Sequence, residues 1–291
     1  MEKILVLGGS GTVGTHLLGE IVRQELDQRM KFVCASRSDA TRQKIESKGF
    51  KTILLDLGEP LSVEAAVDGV TTVFLLKPYG LKMLNYAKTV IDAASLAGVR
   101  AIVNLSAFGP GDSSIDLLTW HRLVDSYVER SGLAFTHLRP GFFMESLAAR
   151  IDVEGGAVYD LSGSLGVPWV AAADIARTAA AIISNPDAHA GHAYSLVSEI
   201  SSAPDIAAML DELTGKTFDV KDMDESKTID TLIARGREPA FARAIVEYGK
   251  VAPNFDGSDA TGSVEAITGE PATTLRHFLK NQMMAKTGND A

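Results

Sequence analysis

The first half of the chain alternates short apolar runs with longer stretches in which apolar residues recur at helical spacing. The apolar runs predict six strands, over residues 3–8, 31–36, 51–56, 71–76, 100–106 and 134–139, with helices between them. Apolar runs without polar alternation are typical of strands that are buried on both faces, as in a parallel sheet covered by crossover helices. The pattern therefore predicts a doubly wound α/β fold.

A glycine-rich turn, "VLGGSGTVGTHLL", connects the first predicted strand to the first predicted helix. Glycines at these positions allow a tight turn, a close approach of a pyrophosphate to the backbone, and close packing of the helix on the strand. The helix N-terminus also presents free N–H groups to an anion. We therefore expect a Rossmann-type dinucleotide site here, with contacts from Gly8, Ser10, Gly11, Thr12, Val13 and Gly14.

The end of the second strand indicates which dinucleotide is bound. Ser36 and Arg37 stand where a cofactor with a free ribose 2′-hydroxyl usually meets an acid, and no acid precedes Asp39. A guanidinium favours a 2′-phosphate, so we expect NADP(H) rather than NAD(H). The alternative is a solvated arginine in a surface loop.

The third and fourth strands end at the same edge of the predicted sheet. Asp56 and Leu57 are expected to reach the adenine, although they could equally cap the strand end. Leu76 and Lys77 follow the fourth strand, and Lys77 is expected to reach the nicotinamide ribose or a substrate oxygen. A solvated lysine is the alternative.

The second half of the chain has a different pattern of segments. Short segments separated by Gly, Ser and Pro follow residue 140, and mostly helical sequence follows residue 201. We predict a nucleotide-binding domain over residues 1–150, to which 172–198 return, and a smaller, mostly helical substrate-covering lobe of 151–171 and 199–291.

Composition and charge limit the partners. The 291 residues have a net charge of −9 and no basic cluster of the kind that binds nucleic acid or an anionic membrane. No apolar window reaches the roughly 18 residues of a membrane span. With one cysteine, Cys34, and no metal-ligand spacing among the histidines, we expect neither disulfides nor a metal. A cytoplasmic monomer or homodimer that binds a small molecule is expected.

One histidine lies on the apolar face of the helix predicted over residues 116–130. Leu117, His121, Val124 and Val128 recur at three- and four-residue spacing and share that face. His121 is either a packed, half-buried histidine or a cleft residue that bonds the ribose or donates a proton. An imidazole titrating near its ordinary pKa of about 6.5 is a competent general acid.

Several motifs together resemble the NmrA-like branch of the atypical short-chain dehydrogenase/reductases. They are "GGSGTVG" (8–14), "VNLSAFG" (103–109), "ERSGLAFTHLRPGFFMES" (129–146), "AAADIARTAA" (171–180) and "EAITGEPATTLRHFLKNQ" (265–282). The wider superfamily implies a catalytic Ser and a Tyr-x-x-x-Lys pair. The Ser position falls on Ser106, but the Tyr and Lys positions fall on Leu117 and His121, so the usual acid is absent.

The stretch "RPGFFMES" (139–146) follows the sixth strand at its C-terminal end, the edge at which open α/β sheets bind ligands. Pro140 and Phe142, after the sixth strand, are expected beside the nicotinamide, and aromatic side chains are expected to form an apolar wall for a flat acceptor. Packing in the core is the alternative for each of them. The expected substrate-pocket residues are Tyr79, Phe108, Trp120, Phe142, Phe143, Met144 and Trp169.

Relatives in this branch include quinone, azo-dye and triphenylmethane-dye reductases, and also regulators that bind a dinucleotide without turning it over. We expect an NADPH-dependent reductase that delivers hydride to an apolar conjugated acceptor such as a quinone, dye or unsaturated carbonyl, with His121, Ser106 and Lys77 at the reacting centre. The aromatic wall favours this function. The missing Tyr and Lys favour the alternative, a non-catalytic NADP-sensing regulator that binds a protein partner.

Overall fold

The structure is a computed structural model that describes residues 1–78, 80–110, 115–255, 257 and 260–287. The strands, numbered in chain order, are β1 (Lys3–Val6), β2 (Lys31–Ser36), β3 (Lys51–Leu54), β4 (Thr72–Leu75), β5 (Ala101–Leu105), β6 (Ala134–Pro140), β7 (Phe142–Phe143), β8 (Ile151–Asp152), β9 (Ala157–Asp160), β10 (Val167–Val170), β11 (His192–Leu196), β12 (Glu199–Ser201) and β13 (Asp219–Asp222).

The helices are α1 (Thr12–Arg23), α2 (Leu26–Arg29), α3 (Asp39–Glu46), α4 (Pro60–Val67), α5 (Met83–Leu96), α6 (Asp116–Glu129), α7 (Ala172–Ser184), α8 (Ala203–Thr214), α9 (Glu225–Ala234), α10 (Pro239–Val251), α11 (Ser263–Thr268) and α12 (Leu275–Thr287). Short 3₁₀ helices span Met144–Ala149, Pro186–His189 and Ala252–Asn254. Within the described residues, no helix has both the length and the apolar character that crossing a membrane requires.

The main sheet has seven strands in the order β11-β6-β5-β4-β1-β2-β3. Neighbouring strands from β3 to β6 run parallel, and the order reverses direction at β1, where chain order passes from β2 and β3 on one side to β4 on the other. The doubly wound fold and all six predicted strands are confirmed, and the seventh strand, β11, lies later in the chain, outside those six runs. A switch point of this kind is where open α/β sheets bind ligands.

The main sheet is buried on both faces. Leu5, Val73 and Ile102 pack with α4, α5 and α6 in one apolar cluster, while Ile4 and Phe74, which alternate with them and point to the opposite face, are also completely buried. Burial of such side chains contributes about 1.5–3 kcal/mol each. This explains why the strands read as unbroken apolar runs in the sequence.

The chain divides into two compact units. Unit 1 comprises residues 1–107, 118–139 and 175–194, and unit 2 comprises 108–117, 140–174 and 195–291. Unit 2 contains two three-stranded sheets, β12-β10-β7 and β13-β9-β8, and its own apolar core around Trp169 and Leu210. The domain limits given by the sequence stay a prediction.

Candidate functional site

The glycine turn between β1 and α1 is built from close backbone contacts. Gly8 has a φ of +73°, a conformation that favours glycine, and its carbonyl accepts a hydrogen bond from the N–H of Gly11 at 2.9 Å. A Cβ on Gly14 would lie 2.1 Å from the Gly8 oxygen. Gly11, the N-cap of α1, has no side chain that could accept an N–H of the first turn. The first N–H groups of α1 are thus available to an anion.

A cleft of about 470 Å³ opens beside this turn in unit 1. Six residues that the sequence predicted for cofactor binding line it: Gly8, Ser10, Ser36, Arg37, Leu57 and Leu76. Six further lining residues were not predicted: Leu7, Ala35, Ser38, Thr41, Leu55 and Pro78. Most of these flank the predicted residues directly in sequence, and Ser38 carries a recognisable signal because it stands as an N-cap before α3.

Arg37 presents a free cation at the rim of this cleft. It is exposed, and it forms no hydrogen bond or ion pair with any residue that the structure describes. The nearby acid Asp39 is paired with Arg42 at 3.1 Å. Ser38, which accepts the N–H of Thr41 at 3.3 Å, adds a hydroxyl to the same rim. This combination of a guanidinium and a hydroxyl suits a phosphate group.

Not all predicted cofactor residues line the cleft. Asp56 is exposed, and its carboxylate accepts the N–H of Gly58 at 2.8 Å in the turn after β3, which is compatible with the capping alternative; its contact with the adenine stays a prediction. Thr12 is exposed and Val13 is buried at the start of α1. Their contacts with a cofactor stay a prediction.

Lys77 lies in a buried polar network at the ends of β4 and β5. Its Nζ donates to Asn104 Oδ1 at 2.7 Å and to the carbonyl oxygen of Leu105 at 2.5 Å. Burial lowers the pKa of Lys77 to about 8, although Asp125 acts in the opposite direction. The alternative of a solvated lysine is therefore wrong, since only 5% of Lys77 is exposed.

Asp125, on the buried face of α6, is the centre of this network. Its carboxylate accepts Asn104 Nδ2 at 2.9 Å and the Ser106 hydroxyl at 3.0 Å. Arg122 and Arg139 donate to the same carboxylate at 3.2 Å and 3.0 Å. Burial by itself would raise the pKa of Asp125, but the charges around it and the hydrogen bond from Ser106 bring that pKa below its ordinary value.

Asn104 also orients a second buried histidine. Because Asn104 Oδ1 accepts from Lys77, its Nδ2 is the donor toward His137 Nδ1, 3.0 Å away. His137 Nε2 then carries the proton and faces Glu129 Oε1 at 3.4 Å. Sequence analysis missed Asn104, Asp125 and His137, although Asp125 could have been found because it lies four residues after His121 on the same helical face.

His121 lies in unit 1 close to these charges. Only 2% of it is exposed, and the neighbouring face residues Leu117, Val124 and Val128 are buried as predicted. Burial first, and then the positive charge of Lys77, hold the pKa of His121 well below its ordinary value. Its imidazole is therefore neutral at pH 7, which removes the titration near pH 6.5 that a general-acid role assumed. The role of His121 itself stays a prediction.

The predicted wall residues of unit 2 form a packed aromatic group. The Phe142 ring stacks on Tyr248 with centroids 4.7 Å apart and meets Trp169 edge-on at 6.0 Å. Met144 and Trp169 are fully buried in the unit 2 core, as the packing alternative proposed. Their contact with a substrate stays a prediction.

The remaining predicted residues are distributed over both units. Phe108, in unit 2, packs with Phe255, and its N–H donates to the Pro140 carbonyl oxygen at 2.9 Å. Phe143 and Trp120 are half-buried, in unit 2 and unit 1 respectively. Tyr79 lies outside the described residues. Within unit 1 the structure thus brings together Lys77 and Ser106, both bonded into the Asp125 network.

Comparison with known proteins agrees with this architecture. An NAD(P)H azoreductase from Xenophilus azovorans is 30% identical over 281 residues, which are 95% of this chain and 96% of that protein. The Escherichia coli NADPH-dependent quinone oxidoreductase QOR2, solved with NADPH, superposes with a TM-score of 0.82 at 23% identity, covering 96% of this chain and 99% of that one.

The negative transcriptional regulator NmrA, solved with NAD, superposes with a TM-score of 0.77 at 14% identity, covering 100% of this chain and 98% of that one. The model of the NmrA-like family matches residues 1–279. Given this match and the full-length likeness to the azoreductase, the chain belongs to the NmrA-like family.

Proposed function

We propose that this protein is an NADPH-dependent reductase that transfers hydride to an apolar, conjugated acceptor of the quinone, dye or unsaturated-carbonyl class. The observation that carries the proposal is the cleft in unit 1, bounded by the glycine turn on one side and by Ser36, Arg37 and Ser38 on the other. The azoreductase and the quinone oxidoreductase to which the chain is similar support this reaction class.

The residues of the cleft fit a dinucleotide phosphate. Close approach of a pyrophosphate needs backbone positions that carry no side chain, and Gly8, Gly11 and Gly14 provide three of them at the N-terminus of α1. Arg37 would hold a 2′-phosphate with its planar set of donors, and Ser38 would add a hydroxyl. When bound, NADPH supplies the hydride.

Lys77 is the proton donor in this proposal. An ammonium group has three N–H donors. Two of those of Lys77 bond Asn104 Oδ1 and the Leu105 carbonyl, so the third is left for the acceptor. With a pKa of about 8, Lys77 is mostly protonated at neutral pH and still acidic enough to give up a proton. The Ser106 hydroxyl, in contrast, already donates to Asp125 and serves to hold the network in place.

The test is NADPH oxidation, followed at 340 nm, with menadione, an azo dye, a triphenylmethane dye and a conjugated enone as acceptors. Reactions without acceptor and reactions with NADH are the controls. We expect acceptor-dependent oxidation with at least one compound and a preference for NADPH. Tight NADPH binding, measured by cofactor fluorescence, without turnover of any acceptor would overturn the proposal.

Tight NADPH binding without turnover would favour a dinucleotide-sensing regulator. The observation behind this alternative is Leu117, which places a side chain without a titratable proton at the position where the wider superfamily has its catalytic tyrosine. A regulator needs differential binding of oxidised and reduced cofactor but no acceptor. Measuring the affinities of NADP⁺ and NADPH in parallel with the turnover assay distinguishes the two functions.

A further inference from the structure

The side chain of Asn104 in unit 1 has a partner for each of its polar atoms. It is fully buried on β5, and its Oδ1 accepts a hydrogen bond from Lys77 Nζ at 2.7 Å. Its Nδ2 lies 2.9 Å from Asp125 Oδ1 and 3.0 Å from His137 Nδ1. An amide nitrogen carries two N–H donors, so one is available for each of these acceptors. The side chain therefore connects a cation on one side to a carboxylate and an imidazole on the other.

The register of the main sheet brings these groups together. Leu75, Asn104 and His137 are lateral neighbours on the parallel strands β4, β5 and β6, so their side chains project from the same face. Lys77 follows Leu75 by two residues, and its Nζ bonds Asn104 on this face. Because strand pairing fixes Asn104 beside His137, their contact does not depend on a flexible loop.

The Asn104 amide has one favourable orientation. Rotating it by half a turn would direct Nδ2 at the ammonium of Lys77, and Oδ1 at the Asp125 carboxylate and at Nδ1 of His137. Each of these contacts would set two donors or two acceptors against each other in a buried place, where an unmade hydrogen bond is costly. The observed orientation requires that Nδ1 of His137 carries no proton.

His137 is held in the form that this orientation needs. Its ring stacks on Phe135 with centroids 5.0 Å apart, and its Nε2 lies 3.4 Å from Glu129 Oε1. A carboxylate beside Nε2 favours the proton on that nitrogen and leaves Nδ1 as an acceptor. Burial lowers the pKa of His137, so the ring is neutral at pH 7.

Asn104 also stands between two opposite charges. Lys77 and Asp125 both bond its amide, and these two described residues form no ion pair with each other. Asp125 already raises the pKa of Lys77 against the effect of burial, and direct pairing would raise it further. The other titratable side chains whose pKa the charge of Lys77 affects are His121 and His137.

We propose that Asn104 is a positioning residue for Lys77, and that His137 keeps the Asn104 amide oriented toward that lysine. This inference rests on the proposed reductase function, in which Lys77 gives a proton to the reduced acceptor. Asn104 Oδ1 holds one N–H of Lys77 and the Leu105 carbonyl holds a second, so the third has a defined direction. The amide also keeps Lys77 from pairing with Asp125, which would make Lys77 a weaker acid.

The pKa of Lys77 can be measured without turnover, from the ¹³C NMR shift of its Cε in protein with labelled lysine. The resonance is assigned by its absence in Lys77→Met. Asn104→Leu keeps a side chain of similar shape between the two charges but removes one acceptor of the ammonium. We expect the titration midpoint of Lys77 to fall by about one pH unit, because a hydrogen bond to a charged group is lost. An unchanged midpoint would overturn the inference.

Variants of His137 carry the test if Asn104→Leu does not fold. His137→Leu leaves one N–H of Asn104 without an acceptor, so the midpoint of Lys77 should move in the same direction. His137→Asn places an oxygen near the position of Nδ1 and should restore most of the wild-type midpoint. Thr136→Val, the control on the same strand, removes a buried bond to the His189 carbonyl and should leave the midpoint unchanged. Equal shifts in Thr136→Val and His137→Leu would overturn the role of His137.

Kinetic measurements separate this inference from the reductase function. With an acceptor that the wild type reduces, Asn104→Leu should lower kcat about tenfold or more with little change in KM, and the basic limb of kcat/KM should move with the NMR midpoint. A wild-type kcat and an unmoved limb in this variant would overturn the positioning role while the reductase proposal stands. Midpoints that shift as expected in a protein that reduces no acceptor would support the positioning of Lys77 while the reductase proposal fails.

Discussion

Alanine substitutions at two glycines of α1 test how closely this helix packs on the dinucleotide turn. A Cβ at Gly14 would lie 2.1 Å from the Gly8 oxygen and 2.7 Å from the Gly9 Cα, both backbone atoms that cannot rotate away. A Cβ at Gly19, in the same helix, meets nothing within 4 Å. Replacing either glycine by alanine gains the same helix propensity, so the difference between the two variants isolates the clash.

The expected magnitudes follow from these contacts. Alanine is favoured over glycine in a helix interior by about 1 kcal/mol, so Gly19→Ala should raise the free energy of unfolding by about that amount. At Gly14 the same gain is opposed by overpacking, which costs about 1–3 kcal/mol. Because the obstructing atoms are backbone, the upper end applies, and Gly14→Ala should be destabilised by about 2 kcal/mol relative to the wild type.

Urea unfolding of the wild type, Gly14→Ala and Gly19→Ala, followed by far-ultraviolet circular dichroism, measures the difference in unfolding free energy. NADPH titration of the same three proteins measures the effect on cofactor affinity. Moving α1 away from Gly8 shifts the N–H groups that would face the pyrophosphate, so we expect Gly14→Ala to weaken NADPH binding at least about tenfold. Gly19→Ala should bind NADPH as the wild type does. Equal unfolding midpoints and equal affinities for the two variants would refute the reasoning.

Two further predictions concern single charged residues. Arg37→Gln should raise the Kd of NADPH about tenfold and leave that of NADH unchanged, because only NADPH carries the 2′-phosphate. Fluorescence titrations with both cofactors measure this. Equal losses of affinity for the two cofactors would exclude the assigned contact. Lys77, with a pKa of about 8, donates its proton from the charged form, so kcat/KM should be level below pH 8 and fall above it. A pH profile from 6 to 10 tests this, and Lys77→Met should be slower at pH 7 and show no such fall; a wild-type profile without the fall would exclude Lys77 as the acid.

The sheet and the glycine turn were predictable because their signals are local. Each main strand reads as an apolar run that ends in a polar or glycine residue, and both faces of the sheet are buried, so alternation does not obscure the pattern. The rim of the cleft was also partly predictable. Ser36 and Arg37 directly follow a strand, and their position relative to the glycines is set by the βαβ unit.

The polar network around Asp125 was not predictable to the same degree. Its bonds join residues 21, 19 and 14 positions apart, from α6 to Asn104, Ser106 and Arg139. Helical spacing places Asp125 on the buried face, but it does not reveal which strand end supplies the partners.

The charges of this network explain how a reductase could function without the Tyr-x-x-x-Lys pair. Lys77, Arg122 and Arg139 surround one carboxylate, that of Asp125, so the cluster retains an excess of positive charge. Burial first, and then the charge of Lys77, lower the pKa of His121. An acceptor that receives a hydride gains negative charge before it is protonated. Fixed cations aimed at developing negative charge lower the barrier without needing a tyrosine proton. The arrangement therefore suits electron-poor acceptors that delocalise this charge until Lys77 protonates them.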